Sequence, residues 1–153
     1  MKPSTPSLLA LAALLLLAAS PLASAKELEW NQEKVAALAR GLDGPLQAFK
    51  ADLQAHPAAP GKEAARAAVM DAVERLQSKA RELAQRLASG AGRGDTVGLF
   101  HEVKALEVQA AKSTAAYPAP FDMHRHVAQI DDATNELGRY YGEYQAPGEW
   151  SKD

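Results

Sequence analysis

From Val69 to Leu87 the apolar residues Val69, Val73, Leu76, Ala80, Leu83 and Leu87 advance by alternating steps of four and three. That spacing lays one continuous stripe along one side of a helix and has no counterpart in a strand. Gly90 then supplies a stop. Three other segments carry related patterns, and the residues around them are mostly Ala, Leu, Glu, Lys, Gln and Arg, the best helix formers.

The first of these covers about residues 32–55, with Val35, Leu38, Leu42, Leu46, Phe49 and Leu53 on its stripe. Asn31 is placed to cap it, and Trp30 and Val35 occupy the two positions of a hydrophobic staple. Pro45 removes a backbone donor and Gly44 weakens the turn before it, so a kink is expected there, either bending the helix around the core or opening a ligand cavity. The stretch from His56 to Gly61, with two prolines, separates this helix from the Val69–Leu87 stripe. A third helix follows the glycine-rich loop from Gly90 to Gly94, with Asp95 or Thr96 as its cap. Its stripe reads Leu99, Val103, Leu106, Ala110 and Tyr117, leaving Phe100 and Val108 off the seam, and Pro118 ends it. The fourth, about residues 122–145, carries Met123, Val127, Ile130, Thr134, Leu137, Tyr141 and Tyr144 in heptad rhythm.

Four amphipathic helices joined by short loops make an all-α, antiparallel up-down-up-down four-helix bundle the expected fold. Its domain covers residues 26–145, and residues 146–153 form a flexible tail. Residues 1–25 read as a cleaved signal peptide: Lys2, an apolar run from Leu8 to Ala19, and small residues at Ala23 and Ala25 before the cut. The expected location is periplasmic or secreted. The apolar run is short for a membrane span and no second one follows, so stable membrane insertion of the mature chain is not expected.

The formal charge is −2, and losing Lys2 with the signal would make it −3. Both signs are interspersed along the chain, which lacks the basic face that nucleic acid requires. There is no cysteine, so disulfides and thiolate metal sites are excluded.

The expected topology sorts the unusual side chains between two ends. One gathers His56, Tyr117, Met123, His124 and His126; the other gathers Trp30, Phe100, Tyr140, Tyr141 and Tyr144, with His101 nearby. Thioether and imidazole suit copper, and imidazole suits nickel and zinc, which makes Met123, His124, His126 and His56 candidate ligands of a copper, nickel or zinc ion. Residues two apart on a helix point about 200° apart, however, so His124 and His126 share one ion only if the first turn is unwound. In the plainer reading Asp122 caps the helix, Met123 fills the core and the two histidines flank it. Trp30, Tyr141 and Tyr144 either plug the end of the bundle or offer a stacking surface to a partner.

An exported single four-helix bundle resembles the periplasmic cytochrome c′ and cytochrome b562 families in helix number, length and heptad pattern. The resemblance stops short of their haem ligands. The stretch from Leu137 to Gln145, "LGRYYGEYQ", has neither the Cys-x-x-Cys-His attachment sequence nor a histidine, and residues 30–34 offer no methionine. No Glu-x-x-His pair of a di-iron bundle occurs, nor any nucleophile with a base, nor a phosphate loop. Asp131, Asp132 and Glu136 read as a solvated face. The expected function is therefore that of a non-enzymatic binding or interaction protein without a cofactor, engaging an unknown protein or small ligand. The alternative is a periplasmic metal-binding protein using the Met/His cluster.

Overall fold

The computed structural model describes residues 28–117 and 121–143, the side chains of Phe121 and Asp122 excepted. The expected signal segment, the tail, Tyr144, the Asp122 cap and Pro118 lie outside what is described. All regular structure in the described residues is helical: α1 (Gln32–Gly41), α2 (Asp43–Ala55), α3 (Glu63–Ala88), α4 (Arg93–Ala115) and α5 (Phe121–Tyr141). The first two are halves of one helix, so the architecture is a four-helix bundle.

The break falls at Leu42. Pro45 has no N–H to give the carbonyl of Gly41, and the helical ladder is interrupted where that bond is missing, although Leu42 keeps helical dihedrals. Leu42 itself stays buried, and a polar seam from α3 holds the interruption. Arg81 donates to both carboxylate oxygens of Asp43, at 2.7 and 3.2 Å, and the Gln77 amide donates to Oδ1 at 2.9 Å. Gln77 is buried but satisfied, because its own oxygen accepts from Lys50 at 3.2 Å. These donors hold the Asp43 carboxyl below the usual carboxylate range, the Arg81 guanidinium first among them.

The helix ends follow local chemistry. Asn31 caps α1, its side-chain oxygen accepting from the Lys34 N–H at 3.0 Å. Gly90 adopts φ 91° and Gly142 φ 80°, a left-handed turn that only glycine enters without cost. Beyond each, the next N–H reaches back to a carbonyl of the last turn, Ala91 to Arg86 at 3.0 Å and Glu143 to Gly138 at 2.8 Å. Both α3 and α5 thus end in the same glycine-dependent cap. Helix α4 begins at Arg93, three residues earlier than a cap at Asp95 implies. Asp95 sits in its first turn and accepts from the Gly92 N–H instead.

Side-chain bonds show which helix ends meet. At one end Gln32 donates to the carbonyls of Leu87 and Ala91, and Arg93 donates to that of Tyr141. At the other, Arg66 donates to the Leu53 carbonyl and His126 meets Asp52. Between them lies a single core, with Phe49, Phe100, Leu76, Leu83, Met123 and Leu137 among its fully buried members. Truncating any such leucine to alanine would cost about 2–5 kcal/mol.

The α3 stripe is buried throughout, as its rhythm requires. The α4 stripe is rotated from the expected one. Val103, Ala110 and Tyr117 point inward, but Leu99 and Leu106 are only partly buried, and Thr96, Phe100, Glu107 and Thr114 take the remaining inward positions. The buried Thr96, Thr114 and Thr134 hydroxyls each donate to the carbonyl four residues earlier, at 2.8 Å, so they enter the core without an orphaned donor.

Candidate functional site

Helices α3 and α4 pack closely along their length, whereas α4 and α5 are the least closely packed of the long helices lying side by side. Side-chain size accounts for this. At the aromatic end α4 and α5 are clasped: the rings of Phe100 and Tyr141 stack at 4.3 Å, and the Tyr141 hydroxyl shares a 2.8 Å hydrogen bond with Thr96. Toward the other end α4 presents Ala110, Ala111, Thr114 and Ala115, while α5 presents Ala128. These are too short to fill the space between two helix axes.

The result is a groove of about 440 Å³ between the C-terminal half of α4 and the N-terminal half of α5. That volume lies within the range of small-molecule pockets. Phe49 of α2 and Val73 and Leu76 of α3 line it together with Val127 and Ile130 of α5. Its ionisable members are Glu107 and Lys112 from α4 and His124 and Asp131 from α5.

Glu107 is the unusual one. It is 6 % exposed, and its Oε2 has no hydrogen-bond partner. The nearest cation, Lys104, lies 3.6 Å from that oxygen and donates to Asn135 at 3.1 Å. Burial pushes the Glu107 carboxyl up to about 8; the Asp131 carboxylate pushes the same way, and Lys104 opposes both. A neutral carboxyl in an apolar wall is a group that can both donate and accept, and one of its acceptors is idle.

The Met/His stretch is divided by the helix. Met123 is fully buried, His126 is buried, and His124 is exposed at the rim of the groove. His126 Nε2 lies 2.8 Å from Asp52 Oδ2, and its ring packs edge-on to Phe49. His56 turns to the same residue, its Nδ1–H donating to the Asp52 carbonyl at 2.8 Å. Asp52 thus meets His56 through its backbone carbonyl and His126 through its carboxylate. Among the described residues no group of three or more His, Asp or Glu side chains is arranged to hold a metal ion.

Trp30 and Tyr141 do meet, ring edge to face at 5.3 Å. Tyr141 is buried between Trp30 and Phe100, so its ring closes the end of the bundle and is not open to a partner. Trp30 is partly buried, and its indole N–H donates to Gln32 at 3.0 Å. The neighbouring His101 contacts Glu143.

Neither Glu107 nor Asp131 stands out when the α4 stripe is read through Leu99 and Leu106. A signal for the correct register existed: Thr96, Phe100, Val103, Ala110, Thr114 and Tyr117 keep an unbroken four-three rhythm, and position 107 is its one charged member. A search among protein-family models, curated proteins and solved structures finds no match to this chain.

Proposed function

We propose that this is an exported, non-enzymatic binding protein that holds a small, largely apolar molecule in the groove between α4 and α5. The observation that carries this reading is the joint occurrence of an apolar cleft of about 440 Å³ and, among its lining residues, a buried Glu107 with one unpartnered oxygen. An unfilled apolar cleft loses dispersion contacts, and an orphaned buried acceptor costs about 1–3 kcal/mol. A guest with an apolar body and one polar end would repair both deficits. The reading of export rests on the pattern of residues 1–25, and the likeness to periplasmic cytochromes adds only that such bundles carry guests.

The test is titration with Nile red, an uncharged fluorophore that brightens in apolar surroundings. Saturable binding at one dye per chain is expected, with loss of that binding in Ala128→Trp, whose indole occupies the cleft. Circular dichroism of the variant checks that the helices persist. Dye binding that is absent, or indifferent to a folded Ala128→Trp variant, would sink the proposal.

A second reading, metal binding, draws on Asp52, which meets both His56 and His126. Elemental analysis of protein recovered from its own compartment tests it. Near-stoichiometric copper, nickel or zinc that is lost in His126→Ala would support it, and metal-free protein would dismiss it.

A further inference from the structure

We propose that the guest of the groove is an amphipathic cation, an apolar chain or ring ending in an ammonium group that seats against Glu107 and Asp131. This rests on the groove reading above and adds the chemistry of the ligand's polar end.

Charge balance is the first argument. The groups that face the Glu107 carboxyl are Lys104 on its own helix and Asp131 on α5; farther along the groove stand Lys112 and His124. From α2 and α3 come Phe49, Val73 and Leu76, none of which carries a charge. With Glu107 protonated, Asp131 and Lys104 cancel. With Glu107 ionised, the three side chains hold two negative charges against one positive, and one further cation restores neutrality. An uncompensated buried charge is strongly disfavoured, so the empty groove keeps the proton and an ammonium would replace it.

Hydrogen bonding is the second. An ammonium has three donors and no acceptor, and Glu107 Oε2 is a buried acceptor with no donor. A carboxylate guest brings only further acceptors and would face two acidic side chains. An alcohol could donate one bond but would leave the proton on Glu107 undisturbed.

Binding of the cation is written as an exchange: Glu107–COOH plus R–NH₃⁺ gives Glu107–COO⁻·R–NH₃⁺ plus a proton released to water. The apparent affinity must then rise with pH until Glu107 of the empty groove is already ionised. Because that carboxyl titrates near 8, affinity should rise about tenfold between about pH 7 and about pH 9. Over that window octylammonium keeps its charge.

The experiment compares octylammonium, octanol and octanoate by calorimetry on the wild-type chain and on Glu107→Gln, at both ends of that window. Octylammonium should bind most tightly and show the tenfold gain. In Glu107→Gln the gain and the preference over octanol should both vanish, while octanol binding persists and reports an intact groove. Octanol matching octylammonium, or a gain that survives in Glu107→Gln, would overturn the ligand class and leave the groove standing. Octanoate binding best would do the same and shift recognition to Lys112 and His124. Failure of all three, with Nile red indifferent to Ala128→Trp, would remove the groove itself.

Discussion

Lys104 Nζ stands 3.6 Å from Glu107 Oε2, too far to donate, while it donates to Asn135 on the facing helix at 3.1 Å. Lys104 thus divides its charge between the buried acid and α5. Its pull on Glu107 is outweighed by burial, and the carboxyl keeps its proton.

That proton has a consequence for stability. The folded chain holds it up to about 8, the unfolded chain only to the ordinary value near 4.5. Folding therefore takes up a proton between those values, and stability falls as pH rises through the window. The contribution is fully present below about 4.5 and lost above about 8. Glu107→Gln cannot ionise and escapes the loss. Urea unfolding at about pH 5 and about pH 9 should show the variant gaining on the wild type by a few kcal/mol, as an order of magnitude. An equal gap at both pH values would mean that Glu107 is solvated and ionised throughout.

The two histidines of "MHRH" should behave differently when truncated. His126→Ala empties a buried site beside Phe49 and leaves the Asp52 carboxylate without its partner, so a loss of about 1–3 kcal/mol is expected. His124→Ala at the exposed rim should stay within about 0.5 kcal/mol of wild type. Thermal melts of the two variants decide it, and equal effects would contradict the burial difference described here.

How much of this was legible beforehand varies from helix to helix. The α3 stripe was unambiguous because every position of its four-three rhythm is Val, Leu or Ala, and the stop at Gly90 needs only the left-handed conformation that glycine allows. The interruption of the helix before Pro45 likewise follows from one missing donor. The α4 register was misread because its inward face mixes Thr96, Glu107 and Thr114 with Phe100, so leucines at positions 99 and 106 outbid it in any count of apolar residues. Burial of those polar groups depends on bonds the sequence does not spell out: threonine hydroxyls turned back on the helix, and an acid kept neutral by its surroundings. The groove was hidden for the same reason, since Ala110, Ala111 and Ala128 reveal a gap only when α4 is turned to face α5. The break between α1 and α2 was foreseen, but not that Asp43, Gln77 and Arg81 would bridge it, because that seam joins residues 34 and 38 positions apart.

The Asp43 seam gives the acid side of the stability profile. Arg81, with Gln77 and Gln47, lowers the folded-state value of this carboxyl, so its contribution is present above the unfolded value near 3.8 and lost as pH falls through the lower, folded one. Asp43→Asn should reduce stability at neutral pH and flatten the decline on acidification. A variant whose acid limb retains the wild-type slope would show that other carboxylates govern it.

Two glycines on the long helices should respond to alanine with opposite signs. Gly98 lies exposed within α4 with nothing within 4 Å of the position a Cβ would take, so Gly98→Ala should stabilise by about 0.5–1 kcal/mol through helix propensity alone. At Gly138 the same atom would fall 2.2 Å from the Glu143 carbonyl oxygen and 3.4 Å from the Phe100 ring. The carbonyl is backbone and cannot be swung away like a side-chain tip, so the chain beyond Gly142 would have to abandon its cap. Loss of that cap, with disturbance of the Phe100–Tyr141 stack it supports, should cost about 2 kcal/mol or more. Hydrogen exchange localises the effect: protection should fall at Glu143 and in the last turn of α5 for Gly138→Ala and remain unchanged there for Gly98→Ala. A Gly138→Ala chain as stable as wild type would mean that the return of Glu143 onto Gly138 is not part of the native cap.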